Sequence, residues 1–233
     1  MDPTAPKDTP VTDETAPPVE AVKKKRKSLA REYVEAIVIA ILLALVIRTF
    51  VVQAFTIPSG SMVPTLQVGD YILVNKFLYG AEIPFTNLGL PAIRHPRRGD
   101  IMVFKYPWDE KRDFIKRVIG LPGEEVYIKG RTVYVNGTPQ NEPYAVYNDA
   151  TPHAGTEYGP SVVPPDSYFM MGDNRDNSQD SRYWGFLKRD KIRGKAFIIY
   201  WSWDGDGHWL RWRRLGCYFD GGGNIACPLG ARP

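Results

Sequence analysis

With 233 residues, 43% of them hydrophobic and 24% charged, the chain has the length for one domain or two small ones and the composition of a folded protein. Thirty basic against 26 acidic residues leave a net charge of +4, too mild to point to nucleic acid as a partner. Two cysteines and three scattered histidines (His95, His153, His208) cannot build a four-ligand metal site, so no metal and no cofactor are expected.

Residues 1–30 form the first segment, rich in Pro, Thr, Glu and Ala and then basic from Lys23 to Lys27; this composition predicts a disordered tail. From Ala36 to Ile47 the chain is continuously apolar. Those 12 residues reach only ~18 Å as a helix, whereas Val34–Phe55 reaches ~33 Å and spans a bilayer at the cost of enclosing Glu35 and Arg48. A buried core helix and a cleaved signal peptide are the competing readings. The preferred one is a single transmembrane anchor over 31–55, its basic flank cytoplasmic by the positive-inside rule and residues 56–233 exported.

Thr56–Leu66 follows at once, reading TIPSGSMVPTL. Pro, Ser and Gly make most turns, so a plain polar loop accounts for the composition. Yet Ser61, between Gly60 and Met62 and with a second hydroxyl at Ser59, is also placed for nucleophilic attack. Beyond it come short apolar runs broken by turn residues, which predict strands at Tyr71–Val74, Ile101–Tyr106, Asp113–Ile119, Glu125–Lys129, Thr132–Val135, Ser167–Met171 and Lys195–Trp201. Residues 138–166, with many prolines and little periodicity, read as an insertion or long hairpin.

Lys116 alternates with Phe114 and Val118 on one strand face. An ammonium among apolar neighbours loses hydration and pKa, and such a lysine can serve as a general base; most strand lysines are simply solvated. Gly172–Gly185 is dense in hydrogen-bonding groups, with Ser178 able to orient a lysine and Asp180 able to pair with Arg182. Its rival reading is a calcium loop, against which Asp173, Asp176 and Asp180 lack EF-hand spacing. Trp201, Trp203, Trp209 and Trp212, mixed with Arg211, Arg213 and Arg214, suit a membrane interface or an ordinary surface segment equally well. Cys217 and Cys227, close together on the exported side, are expected to pair.

The segments Pro58–Leu66, Arg98–Phe104, Asp113–Gly123 and Gly172–Gly185, in this order and spacing, resemble the bacterial type I signal peptidases (leader peptidases). The resemblance runs over roughly residues 35–201 and leaves out the tail, residues 138–166 and everything after Trp201. It implies a mostly β fold, an antiparallel β-sheet catalytic core with an inserted second β region, behind one N-terminal transmembrane helix. It further implies a single-pass protein of the bacterial cytoplasmic (inner) membrane that cuts signal peptides from exported preproteins after small-x-small sites. Ser61 then matches the nucleophile and Lys116 the base. Ser59 matches an oxyanion donor, Ser178 the residue that hydrogen-bonds the lysine, and Asp180 with Arg182 its support. Phe55, Ile57, Pro58, Met62, Leu66, Ile72, Val103, Asp113, Phe114 and Ile115 match substrate-contacting positions. The partners implied are signal-peptide-bearing preproteins and membrane lipid. A self-cleaving repressor-type Ser/Lys protease, a narrow-range processing peptidase and a non-catalytic tethered module are the alternatives. A His-based hydrolase lacks its Gly-x-Ser-x-Gly elbow.

Overall fold

The structure is a computed structural model and describes residues 28–80, 91–148, 157–205, 209–228 and 230. The expected disordered tail lies outside them. The chain divides into two compact units, Met1–Ile41 and Leu42–Pro233. The first contributes the opening turns of helix α1, Leu29–Val46. Arg31, Glu32 and Glu35 occupy those turns, and the uninterrupted apolar run begins only at Ala36. Among the described residues no helix is long and apolar enough to cross a membrane.

The expectation of helix as far as Phe55 is corrected. The α-helix stops at Val46, a π-helical turn covers Ile47–Val51, and Val52–Thr56 is strand β1. Two β-branched residues, Val51 and Val52, stand at the change, and the backbone from Val52 onward finds a ladder partner in β2, Asp70–Asn75, with Val52 opposite Asn75 and Thr56 opposite Tyr71.

The second unit is mostly β, and every ladder between its strands is antiparallel. Its strands continue as β3 (Ile101–Tyr106), β4 (Asp109–Gly120), β5 (Glu125–Lys129), β6 (Thr132–Val135), β7 (Thr138–Pro139), β8 (Glu157–Val162) and β9 (Ser167–Met171). A short helix α2 (Ser181–Trp184) precedes β10 (Leu187–Lys188), β11 (Ile192–Ser202), β12 (Tyr218–Phe219) and β13 (Ile225–Ala226). The main sheet runs β1-β2-β11-β3-β4-β9-β10, with β12 added on β11 and β13 on β12; a second sheet runs β7-β6-β5-β8. Within 138–166, therefore, β8 returns to pair with β5, while 149–156 lie outside the described residues.

Strand alternation sorts the core into opposite faces of β3 and β4. Ile101, Val103 and Ile115 join Ile57, Ile72 and Ile199 in one apolar cluster; Met102, Phe104, Tyr106 and Val118 join Tyr168, Met170 and Trp184 in another. A third cluster, including Ile119, Val126, Val133 and Phe169, holds the second sheet to the first. The exposed half of β4, Asp109–Asp113, extends as a hairpin with β3, while its buried half carries the charged residues Lys116 and Arg117 through the interior.

Candidate active site

Ser61 is the middle residue of a one-turn 3-10 helix, Gly60–Met62, and is buried with 7% of its surface exposed. Lys116, opposite Met102 in the β3–β4 ladder, is 4% exposed. Its Nζ reaches Ser61 Oγ at 2.7 Å and donates to the Ile115 carbonyl at 3.0 Å. Burial lowers the Lys116 pKa to about 8, helped by the Arg182 charge and opposed by Asp180 and Asp173. A neutral amine has a lone pair, so at the same 2.7 Å it can accept the hydroxyl proton that it needs to remove as a base.

The turn bearing Ser61 is held by its backbone. Asn174 donates its N–H to the Ser61 carbonyl at 3.1 Å and its side-chain amide to the Gly60 carbonyl at 3.2 Å. Asn148 in turn donates to Asn174 Oδ1 at 2.9 Å. One residue away, the Asp173 carboxylate takes a bidentate pair from Arg117 Nε and Nη2 at 2.7 and 2.6 Å, and a hydrogen bond from Thr65 Oγ1 at 2.5 Å. Arg117 neighbours the lysine and Thr65 lies in the serine loop, so one buried carboxylate ties the serine loop to the lysine strand. Arg117 also donates to the Gly99 and Gly223 carbonyls and stacks 3.8 Å from the Tyr144 ring centroid. Removing one partner of so enclosed a pair typically costs about 3–5 kcal/mol.

The Gly172–Gly185 segment is the other wall. Asp180 accepts from Arg182 Nε and Nη2, both at 2.8 Å, and from the Gly172 N–H at 3.1 Å. Arg182 also donates to the Arg175 carbonyl at 2.7 Å. Arg175 makes a buried fork with Glu142, both bonds 2.8 Å, and donates to the Gly172 carbonyl. Arginine pairs thus occupy Asp173 and Asp180. Asp173, Arg117, Thr65, Asn174, Arg175 and Glu142 were not assigned roles from sequence. The signal available was the density of hydrogen-bonding groups in 172–185, which announces a network without naming distant partners.

The expected bond of Ser178 to the lysine needs correction. Ser178 Oγ is buried without a hydrogen-bond partner and makes no bond to Lys116, whose amine is occupied by Ser61 and Ile115. It lies instead over Gly172, where a Cβ would come within 2.3 Å of it. Met62, Leu66 and Ile72 have no exposed surface and pack in the apolar cluster with Ile57 and Val103. Ile57 and Val103 are 2% exposed and Ile115 9%. Phe55 is half-buried and Pro58 exposed. Ser59, exposed, precedes the 3-10 turn and makes no capping bond with its side chain. Asp113 pairs with Arg193 at 3.5 Å, and Phe114 stacks on Tyr106 with ring centroids 4.2 Å apart. Cys217 and Cys227 are bridged. Arg214 is not available to a membrane surface, because it is buried in a fork with Asp70.

Residues 30–201 match the family described as "Signal peptidase, peptidase S26". A signal peptidase I of Pseudomonas aeruginosa is 40% identical over 215 residues, covering 78% of this chain and 76% of the relative. A probable signal peptidase I-2 of Synechocystis is 44% identical over 191 residues, covering 78% and 79% respectively. A signal peptidase I of Leptolyngbya laminosa is 40% identical over 199 residues, covering 82% and 89%.

Proposed function

This chain belongs to the signal peptidase family, peptidase S26, and on that premise we propose how its residues carry out the cleavage of signal peptides by a serine peptidase. The observation that carries the assignment is the 2.7 Å approach of a buried lysine amine to a buried serine hydroxyl. Ser61 Oγ attacks the carbonyl carbon of the scissile bond as neutral Lys116 takes its proton, and an Oγ–C bond forms. The Ser59 hydroxyl and the Ser61 N–H donate to the oxyanion. As the C–N bond breaks, Lys116 passes its proton to the departing amine, which leaves as the new N-terminus of the mature protein. A water then attacks the ester carbonyl, giving a proton to Lys116; as the Oγ–C bond breaks, Lys116 returns that proton to Ser61 Oγ, and the signal peptide leaves with a new C-terminal carboxylate.

Small side chains before the cut are read over the apolar cluster to which Ile57, Val103 and Ile115 belong, with Phe55 at its edge. Those residues leave little accessible depth, which suits a small-x-small site and excludes bulk. The enzyme works at a lipid surface. Helix α1 and the π-helical turn give continuous helical backbone from Leu29 to Val51, and Ile37, Ile39, Leu42 and Leu43 each leave more than half of their surface uncovered. Such a stretch calls for an apolar medium, and with the basic run at Lys23–Lys27 it supports an anchor whose N-terminal side is cytoplasmic. Exposed Trp209 and Trp212 suit the same interface. Cleavage of a preprotein with a small-x-small site by the full chain in detergent tests the assignment. Ser61→Ala and Lys116→Met should each keep the wild-type circular dichroism and lose at least on the order of 10³-fold in kcat/KM. Residual cleavage near the wild-type rate in either variant would overturn it.

A further inference from the structure

Beside the dyad, on the Lys116 side, is a cavity of about 480 Å³. Four aromatic rings wall it: Tyr106 and Trp108 from the β3–β4 hairpin, and Tyr183 and Trp184 from α2. Asp176, Asn177, Ser178 and Gln179 complete the lining. A Cβ on Gly60 would stand 3.7 Å from Asn177 Nδ2, and one on Gly172 would stand 2.3 Å from Ser178 Oγ and 2.5 Å from the Ser61 carbonyl oxygen. The hydroxyl of Ser178 and the indole N–H of Trp184 are both buried without hydrogen-bond partners. No step of the mechanism above uses this space.

The direction in which the substrate leaves decides what reaches it. The departing amine must come within hydrogen-bond reach of Lys116 Nζ to be protonated. Lys116 shares its strand face with Phe114, whose ring is 5.4 Å from Nζ and stacks on Tyr106. The residues that suit small side chains before the cut, Val103 and Ile115, point to the opposite face. Substrate before the cut therefore lies over one apolar cluster, and substrate after it runs toward the other, where the ring-walled cavity opens.

We propose that this cavity binds an aromatic side chain close behind the scissile bond, in the first residues of the mature protein, so that the enzyme reads both sides of its cut; this rests on the assignment of Ser61 and Lys116 above. Exposed rings at Trp108 and Tyr183 offer faces and edges for stacking. A cationic side chain is disfavoured because the one carboxylate in the lining, Asp176, is already engaged within the protein, and the protein's own guanidinium groups hold cation positions over the rings: Arg112 lies 5.6 Å from the Tyr106 centroid, and Arg182 lies 5.8 Å from that of Tyr183.

The test uses fluorogenic peptides that share one signal-peptide cleavage site and differ only in carrying Phe, Ala or Lys at each of the positions just after it. Full-length wild type should prefer Phe to Ala at one of these positions by about two- to tenfold in kcat/KM, the range that packing of one aromatic pair supplies. In Trp108→Ala with Tyr183→Ala that ratio should fall to near one. Both side chains are exposed, and circular dichroism checks that the double variant keeps the wild-type fold. Cleavage that ignores the downstream residue, a preference that survives the double substitution, or a preference for Lys over Phe would each overturn the proposal. Absence of cleavage by wild type, or cleavage that survives Ser61→Ala, would instead overturn the catalytic assignment on which it stands.

Discussion

Lys116 answers two opposed demands: an amine that is to act as a base must be uncharged, and a strand that is to stay folded must not bury a charge. Burial lowers its pKa from 10.5 to about 8, so at neutral pH most molecules still carry the ammonium. The active fraction grows with pH, and kcat/KM is expected to rise through a limb centred near 8. The same titration must appear in stability. Below pH 8 folded and unfolded chains both hold the proton, and the folded state bears the full desolvation cost. Between about 8 and 10.5 the unfolded chain binds one more proton, so stability increases with pH until the two states match. Lys116→Met removes the amine and keeps the bulk. It should be more stable than wild type at pH 7 by up to roughly 3 kcal/mol, with the difference vanishing above about pH 10.5. Urea midpoints across that pH range check it, and a variant less stable than wild type at pH 7 would show that the amine is not paying a burial cost. The alternation of Phe114, Lys116 and Val118 made the lysine legible in the sequence. Nothing comparable marked Arg117, because a charged residue in a strand gives no sign of a carboxylate partner 56 positions away.

At the level of the element, Gly172–Gly185 is tied down by side chains along its length. Its rigidity comes from charge pairs, Asp173 with Arg117, Asp180 with Arg182 and Arg175 with Glu142, and from close backbone contact at Gly172. A methyl group there would meet the Ser61 carbonyl oxygen at 2.5 Å and Ser178 at 2.3 to 2.7 Å. The serine loop has no room to retreat, since Asn174 holds that same carbonyl. Gly172→Ala is therefore expected to act on the rate through displacement of Ser61, lowering kcat by on the order of 10²-fold while KM changes little. Equal losses in a remote position such as Gly205→Ala, where a Cβ would meet nothing, would rule out this reading. The density of polar groups made this segment visible in advance, and short apolar runs between turn residues did the same for β2 to β6, β9 and β11. Strand β1 was hidden: Val52–Thr56 continues an apolar run with no breaker before Pro58, and only its pairing with β2 makes it a strand.

Over the whole of the second unit, the chain beyond Ser202 works as a brace for the catalytic loops, a role that local sequence could not announce because every contact involved is long-range. Arg214 forks onto Asp70 at 2.6 and 3.0 Å and donates to the Thr65 carbonyl at 2.9 Å, so it grips the end of the serine loop. The β12–β13 hairpin then brings the Gly223 carbonyl to within 2.7 Å of Arg117 Nη1. At Gly223, with φ near +76°, a Cβ would lie 1.8 Å from the Gly99 carbonyl oxygen, so the hairpin tip is seated against backbone with no slack. Its two ends are joined by the Cys217–Cys227 bridge, with Cys217 fully buried. Closing a loop of 10 residues restricts the unfolded chain by roughly 2–3 kcal/mol in the chain-entropy treatment. The double substitution Cys217→Ser with Cys227→Ser should lower the free energy of urea unfolding by about that amount, and reductant should bring wild type to the same midpoint. Because the hairpin's carbonyl is one of four acceptors around Arg117, besides Gly99, Thr65 and Asp173, the reduced enzyme should keep measurable cleavage, unlike Ser61→Ala. Unchanged unfolding on reduction would mean that the hairpin is held by its contacts alone and that the bridge adds nothing to the brace.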